Sequence, residues 1–435
     1  MKFFLPAFIA SMVTMFSGNA DALNVRVPGI NYVPRKGLDW VPENERCKSP
    51  SEIQKDLRTL KSITDKIRIY SLIDCNQAEA VLPAAKSVGL QVELGTWTMT
   101  SKPETLQKEK AKLASLIDAG LYGDNVSGFF VAIYDDFVVD TAVSYVNEIR
   151  DYLRSRGIRT PVSLADVSSV FTNYPQLIDA VDYISITSVP FNDAVNVNEA
   201  AATALDDMKD VRILAAEKGK KVIVSETTWA SGGSHPSLGV ASPANQAKYF
   251  SDYFQMARAR NLDFYWYFAF DTTFREEIMN TCGLFSTNGT LKSQFKELTI
   301  GLKTPRAIRN VGSKRLLSES GGNVSTTNKS SDWFVKEQQV WFFDSATQQL
   351  RSKSSDRCLD AYQGWNGGIV HMYRCMDNEA NQKWTFDSST GKFKHAKHHG
   401  FCLDTDPAQN NKVQLYGCSP NNPNQQWSVI DPAKI

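Results

Sequence analysis

Acidic residues follow two apolar runs in the first part of the chain. Glu226 ends the run Lys221–Ser225, and Asp135 and Asp136 come directly after Gly128–Tyr134. A carboxylate at the end of an apolar strand is costly to bury without a partner or a function. Two carboxyl groups facing each other across a sugar can cleave a glycosidic bond. The pattern is consistent with two interpretations of Glu226, a functional carboxylate and a salt bridge at the rim of the fold.

Short apolar runs alternate with helix-like segments from residue 24 to about residue 300. Many runs are continuously apolar, which is typical of strands buried on both faces of a parallel sheet. The alternation predicts an α/β fold, a closed (β/α)8 TIM barrel. The alternative is an open doubly wound sheet, but the glycine-rich phosphate loop usual after its first strand is missing here. The predicted strands are Val25–Tyr32, Lys66–Leu72, Leu90–Trp97, Gly128–Tyr134, Pro161–Asp166, Val181–Val189, Lys221–Glu226 and Leu262–Phe270.

The chemistry of a (β/α)8 barrel lies at the carboxyl ends of its strands. The residues at those positions combine aromatic rings, which stack on pyranose rings, with amides and carboxylates, which bind hydroxyl groups. This combination predicts a sugar-binding cleft. The candidate substrate-binding residues of the barrel are Asn31, Tyr32, Tyr70, Trp97, Asp135 and Trp229.

Four motifs within residues 25–300 resemble those of glycoside hydrolase family 17, the β-1,3-glucanases and related transglycosylases. Gly29-Ile-Asn-Tyr32 resembles the family's opening strand, and Arg68-Ile-Tyr-Ser71 resembles the second-strand region of its fungal-type members. Glu226-Thr-Thr-Trp-Ala-Ser231 resembles the nucleophile motif Glu-Thr-Gly-Trp-Pro-Ser, and Gly283-Leu-Phe285 resembles the segment after the eighth strand. The resemblance implies retaining cleavage of β-1,3-glucan, with Glu226 as nucleophile and a second carboxylate roughly 5 Å away.

The chain departs from the family pattern around the second carboxylate. The family places a glutamate after Gly-Asn at the end of the fourth strand, and Asp136 stands where that glutamate belongs. After the eighth strand, Asp271 remains but both family glutamates are missing. The resemblance still predicts a retaining hydrolase in which Asp136 is the acid/base. A glucan-binding protein without turnover and a wall-remodelling transglycosylase stay open.

A repeat of about 43 residues fills the C-terminal part of the chain. Gln-x-Trp recurs at Trp341, Trp384 and Trp427, and Cys-Leu-Asp recurs at Asp360 and Asp404. A core shared by three such repeats, which none can bury alone, predicts an all-β β-trefoil. The cysteine spacing within the last two repeats predicts two disulfides, each worth about 3 kcal/mol in the loop-entropy model. They are Cys358–Cys375 and Cys402–Cys418, which leaves at most one pair among Cys47, Cys75 and Cys282.

These repeats resemble ricin-type lectin domains over about residues 304–431. The resemblance implies a sugar site in each of the last two repeats, whereas Ser318 replaces the aspartate in the first. The implied residues are Asp360, Tyr373, Asn381 and Gln382 in the second repeat, and Asp404, Gln414, Tyr416, Asn424 and Gln425 in the third. His371 replaces the expected glutamine of the second repeat. Two weak sites on one module favour binding to a polymer by avidity.

The N-terminus has the pattern of a secretory signal peptide, with Lys2, an apolar stretch and Ala20-Asp-Ala22. The predicted domains are a signal peptide at 1–22, the barrel at 23–302 and the trefoil at 303–435. Secretion to the extracellular space or cell wall agrees with sequons at Asn125, Asn288, Asn323 and Asn328. The net charge of +1 argues against nucleic-acid partners. Polysaccharide is the expected partner, with no membrane anchor, metal or cofactor, and His395, His398 and His399 are interpreted as surface-loop residues.

Overall fold

The first domain of the computed structural model, which describes residues 23–275 and 277–435, is a closed barrel of parallel strands. The strands follow one another around the barrel in chain order, and β1 pairs with both β2 and β8. This topology confirms the predicted TIM barrel. The predicted signal peptide lies outside the described residues. The strands are β1 Gly29–Asn31, β2 Lys66–Arg68, β3 Gln91–Thr98, β4 Val126–Ile133, β5 Val162–Val167, β6 Ile184–Thr187, β7 Val222–Thr227 and β8 Asp263–Trp266.

Helices connect the strands and cover the outside of the barrel. They are α1 Glu43–Arg46, α2 Pro50–Lys61, α3 Gln77–Val88, α4 Glu104–Asp118, α5 Val139–Ser155, α6 Ser168–Asn173, α7 Gln176–Ala180, α8 Ala200–Asp207, α9 Lys209–Glu217, α10 Pro243–Ala259 and α11 Ser293–Lys296. Ser49 and Glu52 form a reciprocal capping box at the start of α2. The helices α8 and α9 meet at Met208.

Side chains of β4 alternate between the helix-covered outside and the barrel interior. Phe129 and Val131 pack in the main hydrophobic core, whereas Phe130 lies against the guanidinium of Arg68 inside the barrel. The Phe130 ring also occupies the space next to Gly95, where an added Cβ would lie 1.9 Å from a ring carbon. Only glycine fits at that position of β3. The alternation fixes which residues after β4 point into the mouth of the barrel.

The second domain is all-β and has the predicted three-fold repeat. Trp341, Trp384 and Trp427 are buried at its centre, and each indole N–H donates to the carbonyl of a leucine 24 or 25 residues earlier. Strand β21 pairs with β9 and so joins the last repeat to the first. The elements are β9 Pro305–Asn310, β10 Leu316–Ser320, β11 Asn323–Thr327, α12 Trp333–Gln338, β12 Trp341–Asp344, β13 Gln349–Ser352, β14 Cys358–Asp360, β15 Gly368–Ile369, β16 His371–Tyr373, β17 Trp384–Asp387, β18 Lys392–His395, β19 Phe401–Asp406, β20 Lys412–Gly417 and β21 Trp427–Ile430.

Three disulfides are present in the described chain. Cys358–Cys375 and Cys402–Cys418 confirm the pairs predicted from the repeat. The pairing left open in the barrel is Cys47–Cys75, which closes a loop of 28 residues beside the barrel mouth. Cys282 is a buried free thiol.

Two expectations about surface residues are wrong. His395 is buried. Its Nε2–H donates to the carbonyl of Asn381, and its Nδ1 accepts a hydrogen bond from the backbone N–H of His398. Asn125 is also buried and donates to the carbonyl of Leu82, so this sequon is not accessible for glycosylation. Asn288, Asn323 and Asn328 are exposed.

Ion pairs join the two domains along α8, α9 and α12. Arg212 pairs with Glu337 at 3.1 Å, and Asp206 pairs with Arg357 at 2.6 Å. No helix in the described ranges is long and apolar enough to cross a membrane.

Candidate active site

A cleft of about 800 Å³ opens at the carboxyl ends of the barrel strands. Four aromatic residues line it together with Glu226: Tyr70, Trp97, Tyr134 and Tyr267. Arginines and further carboxylates also line it, among them Arg35, Asp74 and Arg275. A cleft that combines aromatic faces with a few polar groups is suited to bind a sugar chain.

Glu226 lies near the end of β7, with 20% of its side chain exposed. Its Oε1 accepts a hydrogen bond of 3.1 Å from Nη1 of Arg68, which ends β2. The carboxylate is therefore accessible from the cleft and held by a cation that comes from across the barrel. A carboxylate that is held in one orientation and faces a cleft can act as a nucleophile.

Arg68 is buried among negative groups and aromatic rings. Its Nε lies 3.6 Å from Oε2 of Glu93, and its guanidinium carbon lies 3.5 Å from the centre of the Phe130 ring. Burial alone would lower the pKa of the guanidinium, but Tyr70, Glu226 and Glu93 raise it above its ordinary value. Arg68 is thus a permanent cation between the two glutamates.

Two of the predicted binding residues, Tyr70 and Trp97, lie in the cleft beside Glu226. The Trp97 ring stacks on Tyr134, with ring centres 5.4 Å apart and planes 29° apart. Both rings are partly exposed and offer a flat apolar face to the cleft. Burial and the charge of Glu226 raise the pKa of Tyr70 well above its ordinary value.

Three other predicted binding residues lie behind the cleft. Asn31 is buried and donates to the backbone carbonyl of Ser225, next to Glu226. Tyr32 is buried and donates to Asp56, and Trp229 packs between Phe191 and Tyr249. These side chains support the strands that carry the site. Their burial offers no surface for a sugar, so direct sugar binding is not assigned to them.

The two aspartates after β4 have different environments. The Asp135 carboxylate accepts hydrogen bonds from the backbone N–H groups of Thr100 and Ser101, each at 2.7 Å, and from the Thr100 hydroxyl. These hydrogen bonds outweigh the effect of burial and lower the pKa of Asp135 well below its ordinary value. Asp136 is exposed, is not among the residues lining the cleft, and accepts a hydrogen bond through its backbone carbonyl.

The sequence alone assigns no role to three residues of the site, Arg68, Tyr134 and Glu109. In the sequence Arg68 is only part of a motif, and Tyr134 is only the last residue of an apolar run. Glu109 of α4 is buried at the cleft wall, where it accepts hydrogen bonds from Ser71, Leu72 and Trp97. Burial raises the pKa of Glu109 to about 7. The alternation of side chains along β4 is the signal that would have identified Tyr134.

The predicted sugar-site residues of the trefoil surround the two disulfide-bonded hairpins. In the third repeat, Gln414 donates to Asp404 at 3.1 Å, and Tyr416 is exposed beside them. In the second repeat, His371 lies 3.3 Å from Asp360, and Tyr373 is exposed.

The amides that follow in each repeat are partly engaged with the protein. Gln382 and Gln425 are buried and hydrogen-bond to the backbone of their own loops. Asn381 accepts a hydrogen bond from Lys397, and the backbone of Asn424 bonds to Asn310. Asp360 and Asp404 are themselves buried, so Tyr373 and Tyr416 are the exposed members of the two sets. Within the described residues no group of histidine, cysteine and acidic side chains is arranged to hold a metal ion.

Comparisons with known proteins agree with both domains. Residues 29–284 match the model of the BtgE/BtgC glycoside hydrolase domain, and residues 304–427 match the ricin-type β-trefoil lectin domain. The chain is 27% identical over 321 residues to the probable glucan endo-1,3-beta-glucosidase btgC of Aspergillus fumigatus, which covers 66% of this chain and 45% of that protein. It is 30% identical over 228 residues to the cell surface mannoprotein MP65 of Candida albicans, covering 50% and 57% of the two chains.

A solved structure is similar to the barrel. It is a glycoside hydrolase family 17 β-1,3-glucanosyltransferase from Rhizomucor miehei, with 27% identity and a TM-score of 0.55 over 63% of this chain and 98% of that one. The chain spans less than half the length of the btgC protein that it matches.

Proposed function

Because this chain belongs to the BtgE/BtgC glycoside hydrolase family, we propose that its barrel cleaves β-1,3-glucan with retention of configuration. The observation that carries the proposal is Glu226, an accessible carboxylate held by Arg68 at the base of an aromatic cleft. The similarity to the probable glucan endo-1,3-beta-glucosidase btgC and to the Rhizomucor β-1,3-glucanosyltransferase supports β-1,3-glucan as the substrate.

The proposed mechanism is a double displacement. A Glu226 oxygen attacks the anomeric carbon while a proton donor protonates the departing glycosidic oxygen. Water then attacks the glycosyl-enzyme, and the former donor accepts the proton of that water. Arg68 keeps the nucleophile in place, and Tyr70, Trp97 and Tyr134 offer the surfaces on which sugar rings stack. The donor must come from the end of β4, where Asp136 and Tyr134 are the two candidates.

Transfer of the glycosyl group to a second sugar is the other outcome of the same first step. The similarity to a glucanosyltransferase favours it, and the open cleft has room for an acceptor. Product chains longer than the starting oligosaccharide would identify this activity.

The trefoil is proposed to hold the enzyme on polysaccharide through the second and third repeats, with Asp360, Tyr373, Asp404 and Tyr416 as the contact residues. The match to ricin-type lectin domains and the exposed tyrosines support this role. Secretion to the extracellular space or cell wall is proposed from the N-terminal signal pattern and from the cell-surface relative.

Release of reducing ends from laminarin tests the proposed activity. We expect release by the wild type and at least a 10³-fold lower rate for Glu226→Gln, which keeps the shape of the side chain but is not a nucleophile. The matched control is Glu217→Gln, because Glu217 is exposed on α9. Release at equal rates by the wild type and Glu226→Gln would reject Glu226 as the nucleophile. No release by either would reject the hydrolase and leave a glucan-binding role.

A further inference from the structure

Tyr134 lines the same cleft as Glu226 and directly follows β4. We propose that the hydroxyl of Tyr134 is the proton donor to the glycosidic oxygen and, in the second step, the acceptor of the proton of water. The inference rests on the proposed function, since it needs Glu226 to act as nucleophile. It assigns the donor to a residue type that the family pattern does not predict.

The alternation of β4 directs Tyr134 into the barrel mouth. Phe130 faces the interior against Arg68, so Ala132 and Tyr134 continue the same face. Tyr134 accordingly lines the cleft with Glu226 and stacks on Trp97. Asp135 belongs to the opposite face, where its carboxylate bonds to the loop at Thr100 and Ser101.

Four carboxylates besides Glu226 line the described cleft, and three of them have partners. Asp39 and Asp74 both pair with Arg35, and Glu109 accepts three hydrogen bonds. Glu43 lies in the short helix α1, away from the strand ends. Asp136 is exposed and is absent from the lining. Three tyrosines line the cleft with Glu226: Tyr70, Tyr134 and Tyr267. The Tyr70 hydroxyl is buried and the Tyr267 hydroxyl accepts a hydrogen bond from Arg275, whereas Tyr134 is exposed and directly follows β4.

The charges around Tyr134 change in the direction that the reaction requires. Desolvation and the negative charge of Glu226 raise the pKa of Tyr134 to about 12, while Arg68 and Arg275 act to lower it. When Glu226 becomes an ester, its negative charge disappears and the two arginines remain. The phenolate is therefore stabilised at the moment when it forms, and the phenol is restored when Glu226 is released.

The proton leaves Tyr134 in the first step and is replaced from water in the second. As the bond from Glu226 to the anomeric carbon forms, the bond from that carbon to the glycosidic oxygen breaks, and the Tyr134 proton moves to this oxygen. In the second step water forms a bond to the anomeric carbon and gives its proton to the Tyr134 phenolate, and the ester bond to Glu226 breaks. No other reactant is needed.

The test compares two substrates that differ in whether the leaving group must be protonated. Laminarihexaose has a sugar leaving group that must be protonated, whereas 2,4-dinitrophenyl β-laminaribioside has a leaving group that departs without a proton. For Tyr134→Phe, which keeps the ring that stacks on Trp97, we expect a loss of kcat/KM of at least about 10²-fold on laminarihexaose, the usual size of a general-acid contribution. The rate of the first step with the dinitrophenyl substrate should fall by less than about tenfold.

The matched control is Tyr174→Phe, because Tyr174 stacks on Phe137 instead of Trp97, and it should keep wild-type rates on both substrates. Asp136→Asn tests the other candidate proton donor, and we expect any loss that it causes to be the same on both substrates. Thermal unfolding of each variant shows whether it is folded. The wild-type rate on laminarihexaose should remain level from neutral pH to about pH 9, because a phenol keeps its proton there.

Three results would overturn the assignment of Tyr134 and leave the proposed function intact. The substrate-dependent loss appears in Asp136→Asn, Tyr134→Phe is fully active, or Tyr134→Phe loses activity equally on both substrates through a higher KM. The last result would show a stacking platform only. A wild type that is inactive on both substrates would contradict the proposed function together with this inference.

Discussion

The buried cation between Glu226 and Glu93 allows a quantitative prediction. Arg68→Met removes the charge but keeps an apolar side chain of similar length against Phe130. Glu93 is then left buried with no arginine partner, and Glu226 loses its hydrogen bond of 3.1 Å. Breaking a buried pair by removing one partner costs about 3–5 kcal/mol. At about 2–4 °C for each kcal/mol in a domain of this size, the barrel should melt roughly 10 °C lower.

The pH dependence of this destabilisation distinguishes the loss of charge from the loss of packing. In the variant the negative charge of Glu93 stays buried without its cation, and protonation of the carboxyl group removes that charge. The destabilisation should therefore be largest at pH 7 and small at pH 4, near the ordinary carboxyl pKa of about 4.

Denaturant unfolding of the wild type and Arg68→Met at pH 7 and pH 4 measures this effect. The control is Arg156→Met, because Arg156 pairs with Asp118 on the surface, where a salt bridge is worth only about 0–1 kcal/mol. A deficit below about 1 kcal/mol at pH 7, or an equal deficit at both pH values, would refute the electrostatic role of Arg68.

Further predictions concern the cleft rim and the trefoil. Replacing Cys47 and Cys75 together by alanine opens a loop of 28 residues and should destabilise the barrel by about 3–4 kcal/mol in denaturant titrations; an unchanged midpoint would contradict this. Burial lowers the pKa of His395 to about 4 from 6.5, so the trefoil should lose stability as the pH falls from 6.5 to 4, and His395→Asn should remove most of that slope in thermal melts. Replacing Asp360 and Asp404 together by alanine should weaken pelleting with insoluble β-1,3-glucan at least tenfold, whereas either single variant keeps partial binding through the other site; equal pelleting of the double variant would exclude these sites.

The repeated features of the chain were predictable from sequence. Apolar runs indicated the strands because buried parallel strands need them, and the 43-residue repeat indicated both trefoil disulfides because each pair recurs at matching positions. The Cys47–Cys75 pair was not predictable, since three cysteines without a repeat leave the partner open.

Side-chain direction limited the prediction of the site. Position at a strand end identified Glu226, Tyr70 and Trp97 as cleft candidates, but it did not show that Trp229 turns into the core. The role of Arg68 depends on Glu226, which lies 158 residues later in the chain and meets it only when the barrel closes.

A covalent adduct on Glu226 tests the central claim most directly. A 2-deoxy-2-fluoro-β-laminaribioside with a dinitrophenyl leaving group slows both steps of a retaining mechanism but leaves without a proton, so the glycosyl-enzyme accumulates whichever residue is the donor. Mass spectrometry of the digested protein should find the fluorinated disaccharide on the peptide that contains Glu226, and no adduct in Glu226→Gln. An adduct on another residue, or none in the wild type, would contradict the assignment of Glu226 as nucleophile.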